Sequence, residues 1–455
     1  MRAAFLDTLR AIQERLNERR TLRLISINSG WLIGDKLLRL LIALFIGAWV
    51  LRYLGPDQYG KFAYAIAFLA LFQAFAMLGL DSIVVRNLAQ DSSNANRVLG
   101  TALRLRLLAS VLSLLAAECA ISVLDPANSE LQFLVLLIGV GMVFQTADVV
   151  DLWFQSQSQS RRTVVAKATS YVIAAGIKVS LILSNAPLWL FAAAVGGEAA
   201  LSAIALYFSY KRFPAAHNWV WNAAVARNMM QQSYPLLLSS VSIIVYMKSS
   251  QLIIDNIIDS ASVGIYSSAQ LLSELWYFLP LTIVTSVAPV IARKKAESAT
   301  AYNNALQNVF SLMWLLSISI SSVVAICSGI IVTLLFGEAY RESAWILSIH
   351  IFTLVPVSIG LTQSLWLINE NRSSLALYQA LAGAISSIGL NLLLISKYGV
   401  IGGAIATVAS QCIQAFAVSA WLAPSLFRIQ TRSLLALLVS GRQAALFIRS
   451  HLASK

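Results

Sequence analysis

The feature that most limits this chain is a recurrence of apolar runs long enough to cross a bilayer. A membrane helix needs about 20 mostly apolar residues. Twelve such stretches can be read, at approximately 25–51, 61–84, 99–124, 131–155, 163–184, 188–210, 231–256, 263–291, 309–336, 343–369, 373–396 and 400–423. The connections between them are short, and the longest, Lys211–Arg227, lies near the middle of the chain. Of the 455 residues, 58% are apolar and only 12% charged. Soluble domains carry about twice that share of charge, so there is too little polar surface to cover soluble domains of this size. The fold class expected is an all-α polytopic membrane protein with about 12 transmembrane helices. Two six-helix halves, 25–212 and 229–424, are expected on either side of a cytoplasmic linker at 213–228.

The net charge is +13, from 33 Lys and Arg against 20 Asp and Glu. On so apolar a chain a basic balance points to membrane lipid rather than nucleic acid. Most of the cations fall on one side of a twelve-span arrangement. That side takes the N-terminal segment, the stretch from Arg86 to Arg106, the group Arg161, Arg162 and Lys167, the central linker, Arg293–Lys295 and the tail. The other side has Arg52, Lys61, Arg341 and Lys397. Cytoplasmic loops are enriched in Lys and Arg, so both termini are expected in the cytoplasm. Residues 1–24 carry Phe5, Leu9, Ile12 and Leu16 at the spacing of one helix face. They suit an amphipathic helix on the membrane surface or an ordinary solvated one. In the basic tail, 425–455, Gly441-Arg442 interrupts the apolar pieces Leu434–Val439 and Ala444–Ile448. The tail suits a surface helix or one packed on the bundle.

Cys119, Cys327 and Cys412 stand apart in apolar runs, so neither a disulfide framework nor a zinc site is indicated. No P-loop is present, no cofactor is implied, and ATP does not drive the chain directly. The loops opposite the cationic side are tiny, which leaves little material for an external active site. That weighs against a membrane glycosyltransferase or polymerase. The two halves echo each other weakly. Gly60-Lys61-Phe62-Ala63-Tyr64-Ala65 opens the second span, and Gly264-Ile265-Tyr266-Ser267-Ser268-Ala269 opens the eighth. Repeated halves with a substrate site near their interface are a common transporter plan.

A charge at mid-bilayer costs about 2.5–3.5 kcal/mol on insertion scales, so charged residues inside spans should face a cavity or a partner. The first span has Asp35, Lys36 and Arg39, with Asp35 and Arg39 at the i,i+4 spacing of a pair. The fourth has Asp148 and Asp151, like charges at i,i+3. Glu118, Lys178, Glu198, Lys248 and Glu274 occupy five further spans, and the last four spans hold only His350. Cations so placed suit an anionic head group, and crowded or desolvated acids suit proton carriage. Structural pairing is the plain alternative. Pro235, Pro280, Pro289 and Pro356 kink spans of the C-terminal half, as hinges or as fixed packing.

Five segments carry a family resemblance. They are Val50-Leu51-Arg52-Tyr53-Leu54-Gly55-Pro56-Asp57-Gln58-Tyr59-Gly60; Leu78-Gly79-Leu80-Asp81 with Val85-Arg86; Asp151-Leu152-Trp153-Phe154-Gln155; Leu335-Phe336-Gly337-Glu338-Ala339-Tyr340; and the run from Tyr398 to Thr407. In this order across the spans, from about Leu24 to Leu422, the chain resembles the Wzx-type oligosaccharide flippases. These belong to the multidrug/oligosaccharidyl-lipid/polysaccharide exporter superfamily.

The resemblance implies two six-helix lobes around a central cavity in a bacterial inner membrane. It implies flipping of undecaprenyl-pyrophosphate-linked oligosaccharide by ion-coupled alternating access, for O-antigen, capsule or exopolysaccharide assembly. The partners implied are the lipid-linked oligosaccharide, membrane lipid, and a polysaccharide polymerase with its chain-length regulator. Lys36, Arg39, Lys178 and Lys248 are the cations available to the pyrophosphate and glycan. Asp35, Asp148, Asp151, Glu198 and Glu274 are the ion-coupling candidates. The buried acids outnumber those cations, which departs from a simply cationic cavity. A drug/cation antiporter of the same superfamily is the alternative, ahead of a glycosyltransferase or polymerase.

Overall fold

In hydrocarbon every backbone N–H and C=O must find its partner within the protein, so a spanning chain is helical or a closed barrel. The computed structural model is predominantly helical, with no strand among its described residues. It describes the backbone at 2–213, 218–372 and 374–435, and within those ranges the side chains from Leu38 onward, Leu41 excepted. The side chains of Asp35 and Lys36 therefore lie outside the described residues, as do the 1–24 amphipathic face and the tail beyond 435.

The helices in chain order are α1 (Arg2–Met77), α2 (Asp81–Gln90), α3 (Ala95–Leu124), α4 (Ser129–Phe144), α5 (Val149–Ser156), α6 (Arg161–Leu183), α7 (Leu188–Arg212) and α8 (Ala223–Ile257). They continue with α9 (Ser260–Glu274), α10 (Phe278–Glu297), α11 (Ala299–Phe336), α12 (Ser343–His350), α13 (Leu354–Asn369), α14 (Ser374–Cys412) and α15 (Val418–Leu422). A last helical stretch occupies 424–435.

Among the described residues, ten segments are long and apolar enough to cross a membrane. Two of them, Leu38–Gln90 and Ser374–Leu422, run for 53 and 49 residues. At about 1.5 Å per residue each exceeds twice the roughly 30 Å hydrocarbon core. Both are broken at a glycine. Gly55 has φ 70° and Gly399 has φ 60°, in the left-handed region that glycine enters without penalty. Pro56 follows the first break and resumes the helix where its missing N–H costs nothing. After the second the chain folds back tightly, so a Cβ on Gly402 would overlap the Leu394 carbonyl. With these two breaks the ten segments accommodate the twelve crossings read from the sequence.

The chain forms two compact units. Unit 1 contains residues 1–46, 76–116 and 136–233. Its apolar core joins α2 through Leu80, Ile83, Val84 and Leu88 to Leu99 and Ala102 of α3, Val149 and Leu152 of α5 and Met229 of α8. Here the structure departs from the sequence reading. The 61–84 span ends at Met77, Leu78 and Gly79 turn the chain with positive φ, and α2 is a separate short helix. Arg106, counted among the loop cations, is 1% exposed within α3 and pairs with Asp81.

Unit 2 contains residues 47–75, 117–135 and 234–455. Its core centres on Phe310, Met313 and Trp314 of α11 with Ile359 and Trp366 of α13. The 424–435 helix adds Leu426 to that core, and Ser311 donates to the Ser433 carbonyl at 3.3 Å, so this part of the tail packs on the bundle. The echoing segments meet each other in this unit. A Cβ on Gly60 would overlap the Ser260 carbonyl, and one on Gly264 would overlap the Pro56 carbonyl. Glycine at both helix starts permits that backbone contact. Tyr340 also donates to the Leu51 carbonyl at 2.9 Å, and Arg52 reaches the Leu334 carbonyl, joining two of the motif segments.

Candidate functional site

Unit 1 encloses a cavity of about 490 Å³ whose lining includes Arg39, Asp148, Asp151, Lys167, Lys178 and Glu198. Each residue arrives by a different local device. α4 tightens into a 3-10 turn at Gln145–Asp148 before α5 begins, which places Asp148 just ahead of a new helix start. Asp151 follows at i,i+3, so both carboxylates share one side. Lys167 and Lys178 are both on α6, eleven residues apart, which is three turns and about 16 Å along one face. Glu198 comes from α7, whose main packing partner is α6.

The electrostatic arrangement is specific. The Lys167 ammonium lies 2.9 Å from Asp148 Oδ1 and 2.8 Å from Asp151 Oδ2, so one cation serves two acids. Gln155 also donates to Asp151 Oδ2 at 3.2 Å. Lys178 Nζ is 3.1 Å from Glu198 Oε2. The Arg39 guanidinium lies 4.8 Å from the centre of the Tyr171 ring, whose hydroxyl donates to the Arg39 carbonyl at 3.3 Å. Among the described residues the cavity thus holds three cations against three carboxylates.

The structure brings together Arg39, Asp148, Asp151, Lys178 and Glu198 from the residues that the sequence singled out. It adds Lys167, which the sequence reading counted among the loop cations on the basic side. Lys167 is instead six residues inside α6 with its charge in the cavity. The signal was available, since two carboxylates one turn apart require a cation and Lys167 is near them in sequence.

Lys248 and Glu274 belong to unit 2. Glu274 accepts from Gln270 Nε2 at 2.6 Å, and Lys248 has no ion-pair partner among the described residues. His350 is 1% exposed, with Nδ1 at 2.6 Å from Ser273 Oγ and its ring edge-on to Tyr266. Glu118 Oε1 is buried without a hydrogen-bond partner among the described residues.

The pattern described as polysaccharide biosynthesis protein matches residues 50–345, about two thirds of the chain. The chain belongs to that family. No curated protein sequence matches it. Solved structures do match in fold. One is a multidrug resistance MATE family transporter of the MOP superfamily in an inward-facing conformation, at 16% identity and TM-score 0.71, covering 86% of this chain and 96% of that one. Another is the lipid II flippase MurJ in an inward closed conformation, at 15% identity and TM-score 0.68, covering 91% and 92%. A third is a MOP superfamily transporter from Pyrococcus furiosus, described as having a binding pocket of reversed polarity, at 16% identity and TM-score 0.61, covering 90% and 96%. At these identities the likeness is one of fold. By family the chain is a polysaccharide biosynthesis protein, and its fold is the one shared by a multidrug transporter and a lipid flippase.

Proposed function

We propose that this family member flips undecaprenyl-pyrophosphate-linked oligosaccharide from the cytoplasmic to the outer leaflet of a bacterial inner membrane. Both termini are then cytoplasmic, and the exported units feed O-antigen, capsule or exopolysaccharide assembly. A polysaccharide polymerase and its chain-length regulator are the partners downstream. The two six-helix halves at 25–212 and 229–424 act as the moving lobes of alternating access.

The observation that carries the ion-coupled part is the charge-balanced cavity, with Lys167 held by Asp148 and Asp151 and Lys178 held by Glu198. Such pairs couple two ligands through one equilibrium. A proton or cation arriving at Glu198 releases Lys178, which then becomes available to a pyrophosphate. Arrival at Asp148 or Asp151 loosens Lys167 in the same way. The membrane potential contributes about 2.3 kcal/mol per charge per 100 mV. Lys36, Arg39, Lys178 and Lys248 are the proposed head-group contacts, and Asp35, Asp148, Asp151, Glu198 and Glu274 the proposed coupling acids.

Deletion of the gene should strand lipid-linked repeat units on the cytoplasmic leaflet and deplete surface polysaccharide. Unchanged intermediates and unchanged surface polysaccharide would reject the reading. The likeness of fold to a multidrug MATE transporter supports a second reading, a drug/cation antiporter. Altered drug susceptibility with normal polysaccharide in the same strain would favour it.

A further inference from the structure

A second cavity of unit 1, of about 450 Å³, is formed by the end of α2, the turn at Ser92–Asn94 and the starts of α3 and α8. It falls in the range of small-molecule sites, about 300–1,000 Å³. Its composition is unusual. Five carboxamides, Asn87, Gln90, Asn94, Asn228 and Gln232, line it with Arg97. The positions recur at helical spacing: Asn87 and Gln90 at i,i+3, and Asn228 and Gln232 at i,i+4, so each pair presents one face.

These groups are held in place. Arg86 donates to Gln232 Oε1, and Gln232 Nε2 donates to Asn228 Oδ1. Asp91, also in the lining, accepts from Ser93 N at 3.0 Å, Ser93 Oγ at 2.6 Å and Asn94 Nδ2 at 2.5 Å. Those bonds hold its carboxyl below the usual aspartate range, so it is a fixed, ionised acceptor. Val98, Ala224 and Val225 give the cavity a small apolar floor.

We propose that this cavity binds a neutral, hydroxyl-rich saccharide, the glycan portion of the lipid-linked substrate. The inference rests on the flippase reading and goes beyond it, since among the described residues Gln145 is the one amide lining the charged cavity. A carboxamide donates and accepts from one planar group, which matches the adjacent hydroxyls of a sugar ring. The apolar floor suits the ring's C–H face. In the lining Arg97 is offset by Asp91, and the neighbouring Arg86 is engaged by Gln232.

The test uses the full chain in membranes, with Cys119, Cys327 and Cys412 changed to Ser and Ala224→Cys, at the cavity lining but outside the amide set, as the only thiol. Maleimide labelling of that thiol is timed with and without free oligosaccharide released by mild acid from the strain's own lipid-linked pool. Undecaprenyl phosphate serves as the lipid-only control. Labelling should slow several-fold with millimolar saccharide and stay unchanged with undecaprenyl phosphate. Equal labelling rates with and without saccharide, or slowing by undecaprenyl phosphate alone, would overturn the proposal. Complementation separates the two readings. If wild-type protein restores surface polysaccharide to a deletion strain but saccharide gives no protection, the glycan site falls and the flippase reading stands. If wild-type protein fails to complement, the flippase reading falls first.

Discussion

Both compact units keep polar groups in their interiors, but by different chemistry. In unit 1 the interior is ionic, with Lys167 shared by Asp148 and Asp151 and Lys178 paired with Glu198 around a cavity. In unit 2, beside Glu118, Lys248, Glu274 and His350, it is largely a web of neutral groups. Ser250 donates to Asn391 Oδ1 at 2.8 Å and meets Thr407 Oγ1 at 2.8 Å, Tyr266 meets Thr407 at 2.9 Å, and Ser249 meets Ser387 at 2.8 Å. All of these hydroxyls are buried. Hydroxyl bonds tie helices together without storing charge. Ion pairs can be taken apart by an arriving ion. On the proposed reading, coupling rests mainly on the unit 1 ion pairs while the unit 2 web attaches helix to helix, and that division can be broken by substitution.

The largest effect is expected at Lys167. Lys167→Met leaves Asp148 and Asp151 facing one cavity without their cation. Removing one partner of a fully buried pair costs about 3–5 kcal/mol. The cost here is smaller, because the Asp148 side chain is 31% exposed. Export should collapse and the melting temperature of the purified protein should drop, while Lys167→Arg keeps most of both. Equal melting temperatures for Lys167→Met and wild type would remove the ion pair from the account.

A smaller effect separates coupling from attachment at the second pair. Lys178→Met should destabilise the protein, and adding Glu198→Met should recover stability, with a coupling energy of about 0.5–3 kcal/mol in the double-mutant cycle. Export should stay low in the double variant. Recovered export together with recovered stability would make the pair purely structural.

The cavity was partly legible in the sequence, and the reason lies in the residues. Asp148, Asp151, Lys178 and Glu198 stood out because charge inside an apolar run has to be satisfied by something. The gaps between spans 25–51 and 61–84 and between spans 373–396 and 400–423 contain the breaks at Gly55 and Gly399. Lys167 and Arg106 did not stand out, because a cation near a span end reads as a topology signal. Only the helix register shows that Lys167 is nearly two turns into α6 and that Arg106 is buried against Asp81. The carboxamide cavity was invisible for a related reason. Asn and Gln near loops carry no charge to flag them, and α8 is far in sequence from α2.

The unit 2 web should respond more mildly. Interhelical hydrogen bonds in membrane proteins average about 0.6 kcal/mol and reach about 1.7. Thr407→Val and Ser250→Ala should each lower stability within that range and leave export near wild type. A Thr407→Val protein that is stable but inactive would give the neutral web a working role and blur the comparison.

The smallest effect is expected at Asp91, whose carboxyl lies below the usual aspartate range because Ser93 and Asn94 donate to it. A depressed folded value means that its stabilisation is present above the unfolded aspartate pKa, about 3.9. That contribution is lost as pH falls through the folded value. Asp91→Asn should therefore lower the melting temperature slightly at neutral pH, and the gap from wild type should close in acid. A gap that widened in acid would contradict the sign.

The most direct test of ion coupling in unit 1 is gradient-driven translocation in proteoliposomes. Lipid-linked oligosaccharide accessible at the far leaflet would be followed while a proton or sodium gradient is imposed, for wild type and for Asp148→Asn/Asp151→Asn. The account predicts that one of the two gradients accelerates translocation in wild type and that the double variant loses this response. Translocation in wild type that ignores both gradients, or an undiminished response in the variant, would contradict it.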